Sequence, residues 1–248
     1  GGGTLWTLNV KDYGALGNSN GTSGNGNDDT AAFQAAIDAA EDGLRYIIVP
    51  EGTYRLTSTL NIDRGIIIAG VGASPGEETS TPSARGRGSW LFFNHTGVGI
   101  IATVLPVEWS TSGVVLRDLG TMRTQPAPAV SWVPTDHDFD IKAGSCDLYI
   151  QNVMFWNATR GVMAYQDGLG GGGRLTMDNV RGHFFKIGVY VQDQYDLPRM
   201  SNVHMWPFWA DNANVHAYTR ANLYAIWLER SDGLDLSNFF VIFCYAGI

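Results

Sequence analysis

The residues best suited to chemistry lie in the second half of the chain. Asp193, Asp196, Asp211, Glu229 and Asp232 are spread along it. Paired carboxyls are what glycoside hydrolysis uses, about 5–5.5 Å apart where configuration is retained and about 6.5–9.5 Å where it is inverted. Between them runs His204-Met205-Trp206-Pro207-Phe208-Trp209-Ala210-Asp211, followed by His216 to Arg220. Trp206, Trp209 and Tyr218 in this stretch carry flat apolar faces with a polar edge, which suits stacking on sugar rings. Packing of the stretch onto the body of the protein would use the same residues. Elimination chemistry would instead need a base, with a cation to neutralise a uronate carboxyl. Arg220, Arg230, Lys186 and His183 are available for it, and their spacing selects none of them. Asp136-His137-Asp138-Phe139-Asp140 is a second acidic group whose Pro-flanked setting reads as a loop, one that could hold a cation. No metal-ligand cluster with zinc-like spacing occurs, no cofactor is implied, and Cys146 and Cys244 read as buried thiols.

Regular elements must position these side chains. Apolar alternation ending in Asn recurs at Leu148 to Val153 around Asn152, Leu175 to Val180 around Asn179, Arg199 to Val203 around Asn202 and Leu234 to Phe239 around Asn238. An earlier variant, Val114 to Leu119, has Asp118 in the Asn place. The Asn residues are 27, 23 and 36 positions apart, and repeats in this range, each a turn of short strands, indicate a solenoid. Asn tolerates the left-handed backbone of a tight corner, and its amide can bond to its counterpart on the next rung, so a structural ladder is expected. Gly161-Val162, Gly188-Val189 and Gly247-Ile248 follow three of these Asn residues by nine positions. After Asn202 the equivalent pair is Ala225-Ile226, 23 positions on, so Trp206 to Arg220 is an insertion. Solenoid insertions project from one face, often the binding face. A further strand begins at the last residues, so a C-terminal portion is expected beyond Ile248.

The same repeats assign faces. In Val162-Met163-Ala164-Tyr165, Val189-Tyr190-Val191-Gln192 and Ile226-Trp227-Leu228-Glu229 the first and third residues are apolar or small and belong inside. Met163, Tyr190 and Trp227 then form one outward column, and Tyr165, Gln192 and Glu229 the next. Glu229 and Asp193, at the ends of adjacent strands, are the first catalytic pair. Tyr190, Gln192, Trp227 and Arg230, with Trp206, Trp209 and Tyr218 from the insertion, are the candidate substrate-binding residues.

The N-terminal segment carries a resemblance. It reads Asn9-Val10-Lys11-Asp12-Tyr13-Gly14-Ala15-Leu16-Gly17, a Gly/Asn/Ser insert, then Asn27-Asp28-Asp29-Thr30-Ala31-Ala32-Phe33-Gln34-Ala35-Ala36-Ile37-Asp38-Ala39-Ala40, and later Ile47-Ile48-Val49-Pro50-Glu51-Gly52-Thr53-Tyr54. Asp28 or Asp29 can cap a helix whose apolar stripe is Phe33, Ala36, Ile37 and Ala40, with Gly43 at its end. Such a helix suits a lid over the open end of a solenoid. The whole resembles the N-terminal signature of the pectate-lyase-like superfamily, whose members include polysaccharide lyases, glycoside hydrolases and bacteriophage tailspikes. The resemblance implies an all-β, right-handed parallel β-helix with a short capping α-helix. It carries over no catalytic residue, because the matching segment is the structural cap. The paired-Asp motifs of polygalacturonases and the calcium-binding strands of pectate lyases are not evident.

With 248 residues, 44% hydrophobic, the chain can bury one large core. We divide it into a lead-in (1–8), a cap with the first rungs (9–72) and rungs 73–248 with long loops at about 73–90, 123–145 and 204–220. The Asn18 to Gly26 insert and the glycines Gly168 and Gly170 to Gly173 read as loops, and Arg85 and Arg87 stand ready for a polar ligand. The net charge is −8 with no basic stripe, which argues against nucleic acid. No apolar run is long enough to insert in a membrane. From the resemblance, the chain is expected to be a tailspike or tail-fibre protein of a phage virion. It would act at the host surface as a homotrimer, with other tail proteins as further partners, and would bind bacterial surface polysaccharide, any cleavage being hydrolysis first and lyase chemistry second. Trimerisation would bury aromatics such as Phe184, Phe185 and Phe208. The alternatives are a secreted or cellular hydrolase or lyase of the same superfamily, and a non-catalytic virion module.

Overall fold

A computed structural model of the chain describes residues 7–41, 45–76, 85–104, 113–144, 146–165, 174–194 and 197–248. Gly43, Asp196 and the glycines at 168 and 170–173 lie outside the described residues. Every pairing between its strands is parallel, and the chain coils through three sheets per rung as a parallel β-helix. The first sheet holds β1 (Thr7–Asn9), β2 (Tyr46–Ile48), β5 (Ile67–Ala69), β8 (Val114–Arg117) and β11 (Leu148–Gln151). The second holds β3 (Gly52–Leu56), β6 (Ser89–Phe93) and β9 (Gly120–Met122). The third holds β4 (Leu60–Ile62), β7 (Ile100–Thr103), β10 (Phe139–Gly144) and β15 (Tyr224–Leu228). Four long strands bend around corners and serve more than one sheet: β12 (Met154–Tyr165), β13 (Leu175–Val191), β14 (Arg199–Met205) and β16 (Asp235–Val241).

The corner between the first and second sheets is built as the Asn pattern requires. Asp118, Asn152, Asn179, Asn202 and Asn238 all adopt left-handed backbone, with φ between 49° and 56°. Asn152 Nδ2 donates to Asp118 Oδ1 at 2.8 Å, and Asn179 Nδ2 to Asn152 Oδ1 at 2.8 Å. The ladder then steps sideways, because Asn202 Nδ2 donates to Asp178 Oδ1 at 2.9 Å instead, before Asn238 Nδ2 donates to Asn202 Oδ1 at 2.7 Å. At the corner that opens the third sheet, rungs approach closely: a Cβ at Gly188 would lie 2.5 Å from the Ala225 carbonyl oxygen and one at Gly161 2.4 Å from the Gly188 carbonyl oxygen, which explains the Gly nine positions after Asn152 and Asn179.

Inward residues from all three sheets form one continuous core, including Leu56, Phe93, Ile141, Phe155, Val189 and Ile226. Helix α1 (Thr30–Asp38) joins it through Phe33, Ala36 and Ile37, with Ala40 just beyond. Asp28 Oδ1 accepts from the Thr30 amide at 3.0 Å, whereas Asp29 holds the preceding loop, accepting from the amides of Leu16 at 2.7 Å and Gly17 at 3.0 Å.

A second core lies outside the second sheet. Its floor is Trp90, Phe92, Met122, Met154, Trp156 and Phe185, and its cover is Trp132 from the β9–β10 connection with Phe208, Trp209 and Val215 from the insertion. Trp132 meets Phe185 at 4.9 Å and Trp209 at 5.9 Å. The insertion carries a helix that its composition did not announce, α2 (Ala213–Asn222), capped by Asn212 Oδ1 on the Asn214 amide at 2.9 Å. Two expectations change as a result. Phe184, Phe185 and Phe208 are buried within the chain and need no second subunit to cover them. The expected 123–145 loop ends early, because Phe139–Gly144 is a strand of the third sheet.

Candidate functional site

The outer face of the third sheet gathers most of the candidate residues. Register pairs Lys142 with Met163, Met163 with Tyr190 and Tyr190 with Trp227, so the expected outward column exists, and it continues to earlier rungs through Lys142, Ile101 and Asn61. Gln192 and Glu229 follow on the next outward positions; their amides bond to the carbonyls of Ala164 and Val191, each at 2.9 Å. Aromatic rings run along this face from rung to rung. Phe139 stacks with Tyr190 (centroids 6.4 Å), Tyr190 meets Trp227 edge-on at 6.0 Å, Trp227 tilts against Tyr224 at 4.9 Å and Tyr224 meets Tyr245 at 5.4 Å. Exposure is 7% at Phe139, 41% at Trp227 and 61% at Tyr245, with Tyr190 and Tyr224 half-buried.

Polar groups converge beside Tyr190. Its hydroxyl donates to Gln192 Oε1 at 3.4 Å. Burial, a hydrogen bond with Glu229 and the charges of Glu229 and Asp193 together push this phenol up to about 12, so it remains a donor at any physiological pH. Asp193, in left-handed backbone (φ 51°), lies 3.7 Å from Arg230 Nη1, and Arg230 Nη2 lies 3.3 Å from Asp232. Tyr190, Gln192, Asp193, Trp227, Glu229 and Arg230 therefore form one cluster. It offers a phenol, an amide, two carboxylates and a guanidinium beside a partly open indole, on rungs about 4.8 Å apart. That set can hydrogen-bond sugar hydroxyls and stack on a ring face, and its two carboxylates are the groups a glycosidic cleavage would use.

The insertion residues lie elsewhere. Trp209 is 2% exposed and wedged against Phe185 at 5.6 Å, so it offers no face to a ligand; it fastens the insertion to the second sheet. Tyr218 is half-buried against Trp132 at 5.7 Å, its phenol pushed up by burial and by Asp136. Trp206 is half-buried on a different face, with His204 at 5.9 Å and Phe240 at 6.1 Å. The lyase candidates are also dispersed: His183 is buried beside Phe185 and pushed down to about 3 by burial, and Lys186 is bound to Asp136 at 2.8 Å.

The acidic run from Asp136 to Asp140 is not a cation loop. Asp136 pairs with Arg160 at 2.9 Å and Lys186 at 2.8 Å, and Asp138 with Lys142 at 3.2 Å. Asp140 pairs with Arg123 at 2.7 Å, both side chains fully buried. Thr121 Oγ1 donates to Asp140 Oδ2 at 2.6 Å, and Arg123 also donates to the carbonyls of His95 at 2.7 Å and Phe139 at 3.3 Å. Burial pushes the Asp140 carboxyl up, opposed by the Arg123 charge and the Thr121 hydroxyl. This network ties β10 to β9 and sets Phe139 and Lys142 in the third sheet. Arg85 and Arg87 are engaged too: Arg85 bonds to the Asn20 carbonyl at 3.2 Å and to Thr53 Oγ1, and Arg87 pairs with Glu51 at 2.7 Å.

Sequence reasoning missed Phe139, Lys142, Tyr224 and Tyr245. The alternation Ile141-Lys142-Ala143 was the available signal for Lys142.

A parallel β-helix with an α-helical N-terminal cap defines the class, and known proteins agree with it. Residues 7–123 match the family described as rhamnogalacturonase A/epimerase, pectate lyase-like. Among solved structures, ORF18 of Geobacillus virus E2 is similar over 93% of this chain and 48% of that one, with 15% identity and a TM-score of 0.54, a likeness of fold. A second structure, the Agl-KA catalytic domain, aligns over 94% of this chain and 48% of that one at 13% identity with a TM-score of 0.32. The chain thus spans about half the length of the structures it matches. No curated protein matches it.

Proposed function

We propose that the outer face of the third sheet binds an extended bacterial surface polysaccharide, laid along the solenoid axis. The protein would serve as a tailspike-like component of a phage tail, assembled as a homotrimer at the host surface. The observation that carries this reading is the ring-to-ring run from Phe139 to Tyr245, flanked by Gln192, Glu229, Asp193 and Arg230. A polymer that repeats along its length fits a surface that repeats rung by rung. What supports the carbohydrate class is the match of residues 7–123 to a pectate-lyase-like family; the phage setting comes from the resemblance and from the name of the viral fold neighbour. Cleavage would use Glu229 and Asp193 as hydrolytic carboxylates, with Tyr190 as a donor. A secreted hydrolase or lyase would use the same face. A non-catalytic module is the second reading, favoured by the proximity of Arg230 to Asp193.

Incubation of the protein with capsular and O-antigen polysaccharides, followed by mass spectrometry, separates these outcomes. Saturated oligosaccharides released by the native chain and not by Glu229→Gln are expected. Fragments lighter by one water mean a lyase, and polymer left intact while bound means a binding module.

A further inference from the structure

A second groove lies at the corner between the first and second sheets, away from the third-sheet face. It encloses about 500 Å³ and is lined by Asn179, Arg181, Asn202, His204, Asn238 and Phe240. Its floor is another outward column: register pairs Arg181 with His204 and His204 with Phe240. On earlier rungs the same column holds Gly120 and Met154, and there Met154 belongs to the covered second core. Past Met154 the cover ends and the column changes from apolar to cationic and aromatic.

Three features make the groove receptive. First, Arg181 is exposed and makes no ion pair among the described residues. The acidic neighbour at the rim, Asp178, is occupied by Ser201 Oγ at 2.6 Å and Asn202 Nδ2 at 2.9 Å. Second, Phe240 is 47% exposed and packs with Trp206 at 6.1 Å and His204 at 5.1 Å, which holds its ring as a fixed apolar platform. Third, the sideways step of the Asn ladder leaves amide capacity unused. Asn202 turns to Asp178, so Asn179 Oδ1 receives no donor from it, while each ladder amide keeps a second N–H.

We propose that this groove is a second saccharide site, selective for a sugar bearing a carboxylate. Arg181 takes the carboxylate, the ladder amides of Asn179 and Asn238 take hydroxyl or acetamido groups, and Phe240 takes a ring face. A charge-assisted bond to a guanidinium is among the stronger polar contacts, and aromatic faces stack on sugar rings irrespective of charge. The carboxylate preference therefore rests on Arg181 and the stacking on Phe240.

The test is calorimetric titration of the whole chain with a hyaluronan oligosaccharide, whose rings alternately carry a carboxylate and an acetamide. A chitin oligosaccharide, with the acetamide alone, is the comparator. Arg181→Gln is expected to weaken hyaluronan binding roughly tenfold or more while leaving chitin-oligosaccharide binding unchanged. Phe240→Ala is expected to weaken both, with thermal midpoints close to native. The site is overturned if the native chain binds no hyaluronan oligosaccharide at millimolar concentration, if Arg181→Gln leaves its affinity intact, or if only Trp227→Ala removes binding. The last result assigns the ligand to the third-sheet face. Loss of polysaccharide binding on the third sheet, with hyaluronan binding intact here, would instead count against the proposed function alone.

Discussion

The second and third sheets carry aromatic residues on their outer faces in comparable density, yet they serve opposite ends. On the second sheet Trp90, Phe92, Trp156 and Phe185 are 1% exposed or less beneath Trp132, Phe208 and Trp209. On the third, Trp227 and Tyr245 stand 41% and 61% exposed with polar groups beside them. The pleat that turns every other residue outward is common to both. What differs is whether a connection folds back as cover. The β9–β10 connection and the α2 insertion both fold over the second sheet, so its aromatics became core. Aromatic content on a solenoid therefore says little about binding until the cover is known.

The contrast can be broken at its support. Arg123 and Asp140 form a fully buried pair that leads the chain from the covered sheet to the open one. Arg123→Met strands an uncompensated carboxylate in the interior, and a loss of about 3–5 kcal/mol is expected. Urea unfolding measures it, and a loss below about 1 kcal/mol would mean that Asp140 is protonated or rehydrated at little cost. Next in size is the cover itself. Trp209→Ala removes a side chain that is 2% exposed and should cost about 3 kcal/mol, at the low end for large buried aromatics. Glycan binding by the folded fraction should be unaffected; a stable variant that no longer binds would restore Trp209 as a ligand residue.

Acid offers a graded test of the same cover. His183, among Phe185 and Trp209, is pushed down to about 3 in the folded chain by burial, against about 6.5 when unfolded. Above about pH 6.5 both states are neutral and stability is undiminished. As pH falls toward 3 the unfolded chain binds a proton that the folded chain refuses, so stability declines by about 1.4 kcal/mol per pH unit. Thermal midpoints between pH 7 and 4.5 should fall more gently in His183→Phe than in the native chain, and parallel slopes would mean that His183 titrates normally.

Much of this architecture was legible because its determinants are local. A left-handed corner selects Asn at one position, a close rung contact selects Gly nine positions later, and period-two alternation then sorts Tyr190, Gln192, Trp227 and Glu229 to one face. Strand β10 has no clear sequence signal because its buried charge, Asp140, is made tolerable by Arg123 just beyond β9, a compensation with no local signature. The sequence offers Trp209 and Tyr218 to a ligand because stacking on sugar and stacking on Trp132 use the same residues. Only tertiary burial separates the two. Tyr224 and Tyr245 joined the candidate site through ring contacts between rungs, which no periodicity encodes.

The most direct measurement is a comparison of Trp227→Ala with the native chain, in thermal midpoint and in affinity for the best-bound member of a panel of bacterial capsular and O-antigen oligosaccharides. A half-exposed surface residue should move stability by no more than about 0.5 kcal/mol, whereas loss of its ring should weaken binding roughly tenfold. An unchanged midpoint with weakened binding is the predicted result. Unchanged affinity, a fall of stability and affinity together, or a panel in which nothing binds would contradict the claim that the third sheet is the ligand face.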